Sequence, residues 1–236
     1  TYALSLVNTG TAAITDYTVT DNLGGYTVGA NTVYPLAYNA GTVRYYINGV
    51  LQTAPTVTAG PPLTVTGLTV PAGGSAVLIY ETTATPVAPL ATGSSITNTA
   101  TITGGGLTTP ITAQATVETA NSAELSISKA LSPTTVTENG QITYTFVISN
   151  TGNTEATATG NVVVTDTFAP ILRNIAVTYN GTAWTEGTNY TYNAATGVFT
   201  TLAGQITVPA ATFTQNTDGT FTVTPGTATL VITGTV

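Results

Sequence analysis

The chain has 236 residues, only 3 basic and 10 acidic among them, a formal net charge of −7, and no histidine, cysteine or methionine. Without imidazole or thiol it has no histidine acid–base chemistry, no thiolate nucleophile, no ordinary zinc or copper site and no disulfide. Arg44, Lys129 and Arg173 are too few to build the basic face that phosphate contacts require, which excludes nucleic acid as a partner.

Threonine, valine and tyrosine are prominent beside 24 glycines and 12 prolines, while the good helix formers are scarce. β-Branched and aromatic side chains suit a pleated surface, so an all-β chain is expected. A hydrophobic content of 42% argues against disorder. In chain order, the alternating blocks are TYALSLVNTG (1–10), YTVTDNL (17–23), VRYYINGV (43–50) and PAGGSAVLIY (71–80). SSITNTATITGG (94–105) and TTPITAQATVET (108–119) follow. The run AVLIY within the fourth block is the longest apolar stretch, far short of the ~20 residues of a membrane helix. No charged-then-apolar leader opens the chain, so a soluble segment is expected, with any leader absent or removed and no membrane insertion.

After a short linker, ETANSAE (118–124), comes AELSISKALSPTTVTENGQI (123–142), and then the early blocks return in the same order. TYTFVISNTG (143–152) answers the first block and VVVTDTF (162–168) the second; IAVTYNGT (175–182) answers the third, each with an Asn-Gly hairpin turn. PGTATLVITG (225–234) is matched to the fourth. Tyr2 maps to Tyr144, a displacement of 144 − 2 = 142, and Asp21 to Asp166, a displacement of 166 − 21 = 145. The expected architecture is two tandem immunoglobulin-like β-sandwiches with no helix: residues 1–122, lacking the opening strand, and residues 123–236, lacking the closing strands. The chain then spans about one and two-thirds repeats. It is either a window on a longer tandem array or a fibre subunit completed by strands from its neighbours, because an open sheet edge invites β-augmentation.

Polar residues on apolar registers are the informative ones. In ELSISKAL (124–131), Lys129 shares a face with Leu125, Ile127 and Leu131, so the only lysine is expected to aim into the core. Asn98 lies between Ile96 and Ala100 on one face of its strand. Asp166 shares a face with Val164 and Phe168, and Asp21 with Val19 and Leu23. Unpaired buried charges cost several kcal/mol, so these groups need a reason to be there. A neutral lysine amine can attack an asparagine side-chain carbonyl while a protonated carboxyl group polarises it, leaving an isopeptide cross-link in place of a disulfide. The chain carries two half-sites of that chemistry, Lys129 with Asp166 and Asn98 with Asp21. The plainer readings stand beside it: Lys129 snorkels or forms an ordinary ion pair with Asp166, the aspartates cap the turns after Val-Thr-Asp, and Asn98 bonds a loop backbone.

The segment SISKALSPTTVTENGQITYTFVISNTGNTEATATGNVVVTDTFAP (126–170), with GSSITNTATITG (93–104), resembles the bacterial and archaeal surface repeat known as domain of unknown function eleven. The resemblance rests on a lysine shortly before Ser-Pro, a glycine before a Tyr-Thr strand, Asn-Thr-Gly, Val-Thr-Asp and a late Ile-Thr-Asn-Thr-Ala, and it covers most of both copies. The sequence departs from it at Gly24-Gly25, where the family has proline, and in the lysine strand missing from the first copy. The resemblance implies immunoglobulin-like stalk modules of extracellular, cell-surface or spore-surface proteins, with no established activity.

The remaining signals are weaker. The sequons at Asn180 and Asn189 are expected by chance in a threonine-rich chain, and the scattered acids make no calcium loop, so no metal or other cofactor is expected. No paired carboxylates sit beside a cleft as a glycosidase needs, and the chain is read as non-enzymatic. Trp184, Tyr179, Tyr190 and Tyr192 offer a carbohydrate-stacking face or, more plainly, cross-strand packing pairs. The main reading is a self-associating structural module of a prokaryotic surface filament, stalk or layer. The alternative is an adhesin that holds glycan or protein on that aromatic hairpin.

Overall fold

The computed structural model describes residues 1–236 as an all-β chain of antiparallel sheets. Strands β1 (Tyr2–Val7), β2 (Ile14–Asp21), β3 (Tyr26–Val28), β4 (Asn31–Val33), β5 (Leu36–Tyr38), β6 (Arg44–Ile47) and β7 (Val50–Leu51) come first. They are followed by β8 (Thr56–Thr58), β9 (Leu63–Val70), β10 (Ser75–Tyr80), β11 (Thr82–Ala84), β12 (Ser95–Gly104) and β13 (Ile111–Glu118). The later strands are β14 (Leu125–Ser132), β15 (Gln141–Asn150), β16 (Thr165–Thr167), β17 (Arg173–Tyr179) and β18 (Thr182–Trp184). The last are β19 (Tyr190–Asn193), β20 (Val198–Thr201), β21 (Thr212–Gln215), β22 (Phe221–Thr224) and β23 (Gly226–Thr235). The expectation of no helix meets one short exception, a 3₁₀ turn at Ala158–Gly160. No helix is long and apolar enough to cross a membrane.

The chain divides into two compact units: Thr1–Thr119 with Gln215–Thr222, and Ala120–Thr214 with Val223–Val236. In the first unit the sheets run β1-β10-β6-β7 and β13-β12-β2-β9-β8. One core draws Tyr45, Leu78 and Tyr80 from the former and Val19, Leu63, Val65 and Ile102 from the latter. In the second, β14-β15-β23-β17-β18 and β16-β20-β19 contribute Tyr144, Phe146, Leu230 and Ile232, and Phe199, to a second core. Strict alternation drives this packing. On β15 every second residue from Ile142 to Asn150 is buried, because successive side chains on a strand point to opposite faces.

Buried asparagines mark equivalent positions in the two units. Asn8 Nδ2 donates to the carbonyls of Ala12 (2.8 Å), Pro71 (3.0 Å) and Val70 (3.4 Å). Asn150 Nδ2 does the same to Thr154 (2.7 Å), Pro209 (3.0 Å) and Val208 (3.5 Å). Tyr45 and Tyr179 likewise donate their hydroxyls to the carbonyls of Thr69 and Thr207. Pro71 therefore corresponds to Pro209 and not to Pro225, and the sequence match of 71–80 to 225–234 needs correction. Ala76 pairs with Leu6 as Ala228 pairs with Ile148, so AVLIY answers Ala228–Ile232. Between Pro209 and Ala228 the second copy carries an inserted hairpin, β21–β22, where the first has a tight turn at 72–74. A second proline before an alternating Ala-Thr run imitated the true match. The Asn-Gly turns differ too: Tyr45 pairs with Leu78 and Tyr179 with Leu230, yet Asn180 follows Tyr179 directly while Asn48 comes three residues after Tyr45.

Two strands break the burial pattern. Every residue of β13 and β14 is exposed. Cross-strand partners share a face. Val117, Ala115, Ala113 and Ile111 of β13 lie opposite the buried Ile96, Asn98, Ala100 and Ile102 of β12. Ile127, Lys129 and Leu131 of β14 lie opposite the buried Ile148, Phe146 and Tyr144 of β15. The core-facing sides of β13 and β14 are thus only partly covered by the structure across from them. Lys129, expected in the core, is for this reason 39% exposed.

Asn150 is fully buried, and its Oδ1 also accepts from Gly152 N (2.9 Å) and Glu124 N (3.0 Å). Replacing Asn150 by Ala should destabilise the chain by about 1–3 kcal/mol for each buried group left unpaired. Urea denaturation measures this; a change within a few tenths of a kcal/mol would contradict the role given to the asparagine.

Candidate functional site

Val-Thr-Asp ends β2 in the first unit, and the alternation that buries Tyr17 and Val19 also turns Asp21 inward, where it is 1% exposed. Its Oδ1 accepts from Leu23 N at 2.8 Å, the turn-capping bond that aspartate commonly makes. Its Oδ2 accepts from Asn98 Nδ2 at 2.8 Å and from the hydroxyl of Tyr80. Asn98, 3% exposed on β12, takes a hydrogen bond on Oδ1 from Gly24 N at 3.0 Å, which fixes which end of the amide is oxygen. Asp21 thus bonds both its own turn and two core side chains.

The polarising donor on the asparagine carbonyl is the Gly24 N–H, whereas the sequence reading gave that part to the carboxyl group. Asp21 instead faces the amide nitrogen. An amine reaching Asn98 would meet a carbonyl whose developing negative charge already has a donor, with a carboxyl group beside the nitrogen that must leave. Gly24 is needed for this: its φ is +68°, and a Cβ there would lie 2.4 Å from Ile96 Cγ2. Gly24, Tyr80 and Tyr2 are the members that strand register missed. Tyr80 ends the AVLIY run, and Tyr2 stacks on it with ring centroids 5.6 Å apart. Both read as ordinary core aromatics in the sequence.

In the second unit, Lys129 Nζ on β14 lies 2.5 Å from Asp166 Oδ2 on β16, the only ion pair in the chain. The ammonium also sits 4.7 Å from the ring centroid of Tyr144 and 5.5 Å from those of Phe146 and Phe168. These are cation–π contacts with core rings. The structure thus brings Lys129 to Asp166 and Asn98 to Asp21, each pair inside its own unit. What Lys129 and Asp166 make in this state is an ion pair.

The aromatic candidates take separate places. Tyr179 is buried and stacks on the half-buried Trp184, centroids 4.8 Å apart. Tyr190 is 4% exposed and packs on Phe199, and the Tyr192 hydroxyl donates to the Leu172 carbonyl at 2.8 Å and accepts from Leu172 N at 3.0 Å. They serve the core and do not share one open face. The sequon side chains are also engaged, Asn180 accepting from Thr229 N and Asn189 bonding Thr185 N and Gln205. No group of three or more acidic side chains gathers as a metal cluster would.

Comparison with known proteins finds no family model and no curated protein that matches this chain.

Burial, and then the hydrogen bond to Asp21, push the Tyr80 phenol far above its ordinary range, and burial with the Asp21 charge raises Tyr2. Burial also raises Tyr17, Tyr26, Tyr179 and Tyr190. The unfolded chain releases these protons near pH 10 while the folded chain keeps them, so their share of stability is complete below about pH 10 and is lost as pH rises beyond it. Spectrophotometric titration at 295 nm should show about half of the 12 tyrosines ionising only as the fold is lost. All of them titrating together near pH 10 in the folded protein would refute this.

Proposed function

We propose that the chain is a structural module of an extracellular prokaryotic surface filament, stalk or layer, without catalytic activity of its own. Its repeats are immunoglobulin-like sandwiches related to domain of unknown function eleven, and each is completed by strands from another repeat, in the same polypeptide or in a neighbouring copy. The observation that carries the reading is the pair of uncovered strand faces. Ile111 and Val117 on β13, and Leu125, Ile127 and Leu131 on β14, are between 39% and 55% exposed, although each belongs to the apolar register of its sheet. Apolar residues on a core register ask for a facing sheet, and open strand edges ask for a pairing strand.

The charge pattern supports the same reading. A chain with 6% charged residues and no cysteine has little opportunity for ionic or disulfide reinforcement. The Asn98–Asp21 and Lys129–Asp166 pairs supply the groups for an isopeptide staple once repeats come together. In that step a lysine Nζ bonds to the asparagine Cγ and the Cγ–Nδ2 bond breaks. A proton from the amine passes through the carboxyl group to the departing nitrogen, which leaves as ammonia. The aromatic residues around Trp184 are occupied in packing, and nothing in their arrangement favours the adhesin alternative.

Sedimentation velocity and electron microscopy of the chain at rising concentration test the assembly. Growing oligomers or periodic filaments are expected, and a monomer at every concentration would overturn assembly by neighbouring copies. Intact mass of the assembled species tests the staple separately: each bond removes one ammonia, and Lys129→Ala or Asn98→Ala should abolish the loss.

A further inference from the structure

The turns after β1 and β15 are built from the same residue types but differ in what packs on them. In the second unit, the segment entering β14 lies over the turn after Asn150. Asn150 Oδ1 accepts from Glu124 N at 3.0 Å, and Thr151 N donates to the Glu124 carbonyl at 2.9 Å. A Cβ on Gly152 would lie 2.2 Å from Ser122 O and 2.6 Å from Glu124 N, so only glycine lets that segment pass. The equivalent residues of the first unit, Asn8 and Gly10, are the same types. Asn8 Oδ1 accepts only from Gly10 N (3.0 Å), and a Cβ on Gly10 would approach nothing but that same oxygen, at 3.1 Å. Gly10 is not in a positive-φ conformation either. The first unit thus has a glycine that no contact of its Cβ position with another strand requires, and an Asn8 Oδ1 with one hydrogen bond where Asn150 Oδ1 has two.

The floor of this place is also short of a partner. Between β1 and β13 lies a cavity of about 70 Å³ bordered by Leu4, Ala113 and Ala115, with Asp21, Tyr80 and Asn98 exposed to it. The buried Tyr2 hydroxyl at its edge has no hydrogen-bond partner. Asp21 has only neutral partners, whereas Asp166, its counterpart, is paired with Lys129. A buried carboxyl group and an unpaired hydroxyl beside an open space call for a cationic donor.

We infer that the groove between β1 and β13 is the receptor for a lysine-bearing β-strand of the β14 type. The inference rests on the assembly reading above and adds the register. In the second unit Leu131 pairs with Tyr144, Lys129 with Phe146 and Ile127 with Ile148. Carried back by the repeat displacement of 142 residues (144 − 2), an incoming strand places its leucine opposite Tyr2, its lysine opposite Leu4 and its isoleucine opposite Leu6. The lysine then enters the cavity beside Asp21, Asn98 and the Tyr2 hydroxyl. The apolar side chains cover the exposed face of β13, and the strand's first N–H meets Asn8 Oδ1.

The test uses the full chain and a fluorescein-labelled synthetic peptide of residues 121–133. Saturable binding is expected by anisotropy, with slowed amide exchange at Tyr2–Val7. Peptide carrying Lys129→Ala should bind at least tenfold more weakly. Gly10→Ala in the chain, where the added methyl group stands in the path of the strand, should weaken binding at least as much while the melting temperature stays close to the parent value. No saturable binding, binding indifferent to both changes, or protection at Gln141–Asn150 in place of β1 would overturn the inference. Mass spectrometry of the complex separates this from the staple. Binding without loss of ammonia keeps the receptor groove and removes the cross-link, and loss of ammonia supports both. Absence of binding removes the groove, while sedimentation judges assembly on its own.

Discussion

Asp21 stands on a core-facing register, and taking its carboxyl group out of water costs several kcal/mol unless hydrogen bonds replace the lost hydration. The Leu23 N–H, the Asn98 amide and the Tyr80 hydroxyl are those replacements, and they tie β2 to β12 and to β10 at one point. Because β10 belongs to one sheet of the first unit and β2 and β12 to the other, the carboxyl group holds the two sheets in register with each other. Gly24 follows from the same demand: the chain must turn back sharply after the strand to bring its N–H to Asn98, and the residue there needs a positive φ. Asp166 solves the same problem with a lysine, at a place where no asparagine strand lies alongside.

The two solutions are complementary. One unit holds carboxyl and amide without amine; the other holds carboxyl and amine without amide. Each lies at a strand whose apolar face is largely exposed: β13 pairs with the strand that bears the amide, and β14 bears the amine itself. The Asn8 and Asn150 hydrogen bonds show that the turns after β1 and β15 are built alike. The inserted β21–β22 hairpin and the earlier Asn-Gly turn of the second unit lie away from these strands in the sequence.

Much of the site was legible because strand periodicity is a local property. Counting by two from Val19 or Ile96 suffices to put Asp21 and Asn98 on the apolar side. Tyr80, Tyr2 and Gly24 were hidden because their polar roles depend on which strand lies across from them, and a tyrosine closing an apolar run looks like any core residue. The alignment of the fourth block failed for a related reason. Alternating Ala, Thr and Val with a preceding proline recur throughout the chain, and only the carbonyl partners of Asn8 and Asn150 distinguish Pro209 from Pro225 as the counterpart of Pro71.

Composition and alternation by themselves determined an all-β chain with repeated blocks, an inward lysine register and two pairs of polar residues, because propensity and the two-residue period act along a few neighbouring residues. Tertiary structure decided which groups meet, which donor faces the asparagine carbonyl, and that Lys129 sits partly exposed at the margin of a core, paired with Asp166. Those outcomes depend on sheets brought together across long stretches of chain. A register read from one strand says which way a side chain points, and the facing sheet alone says whether anything is there to meet it.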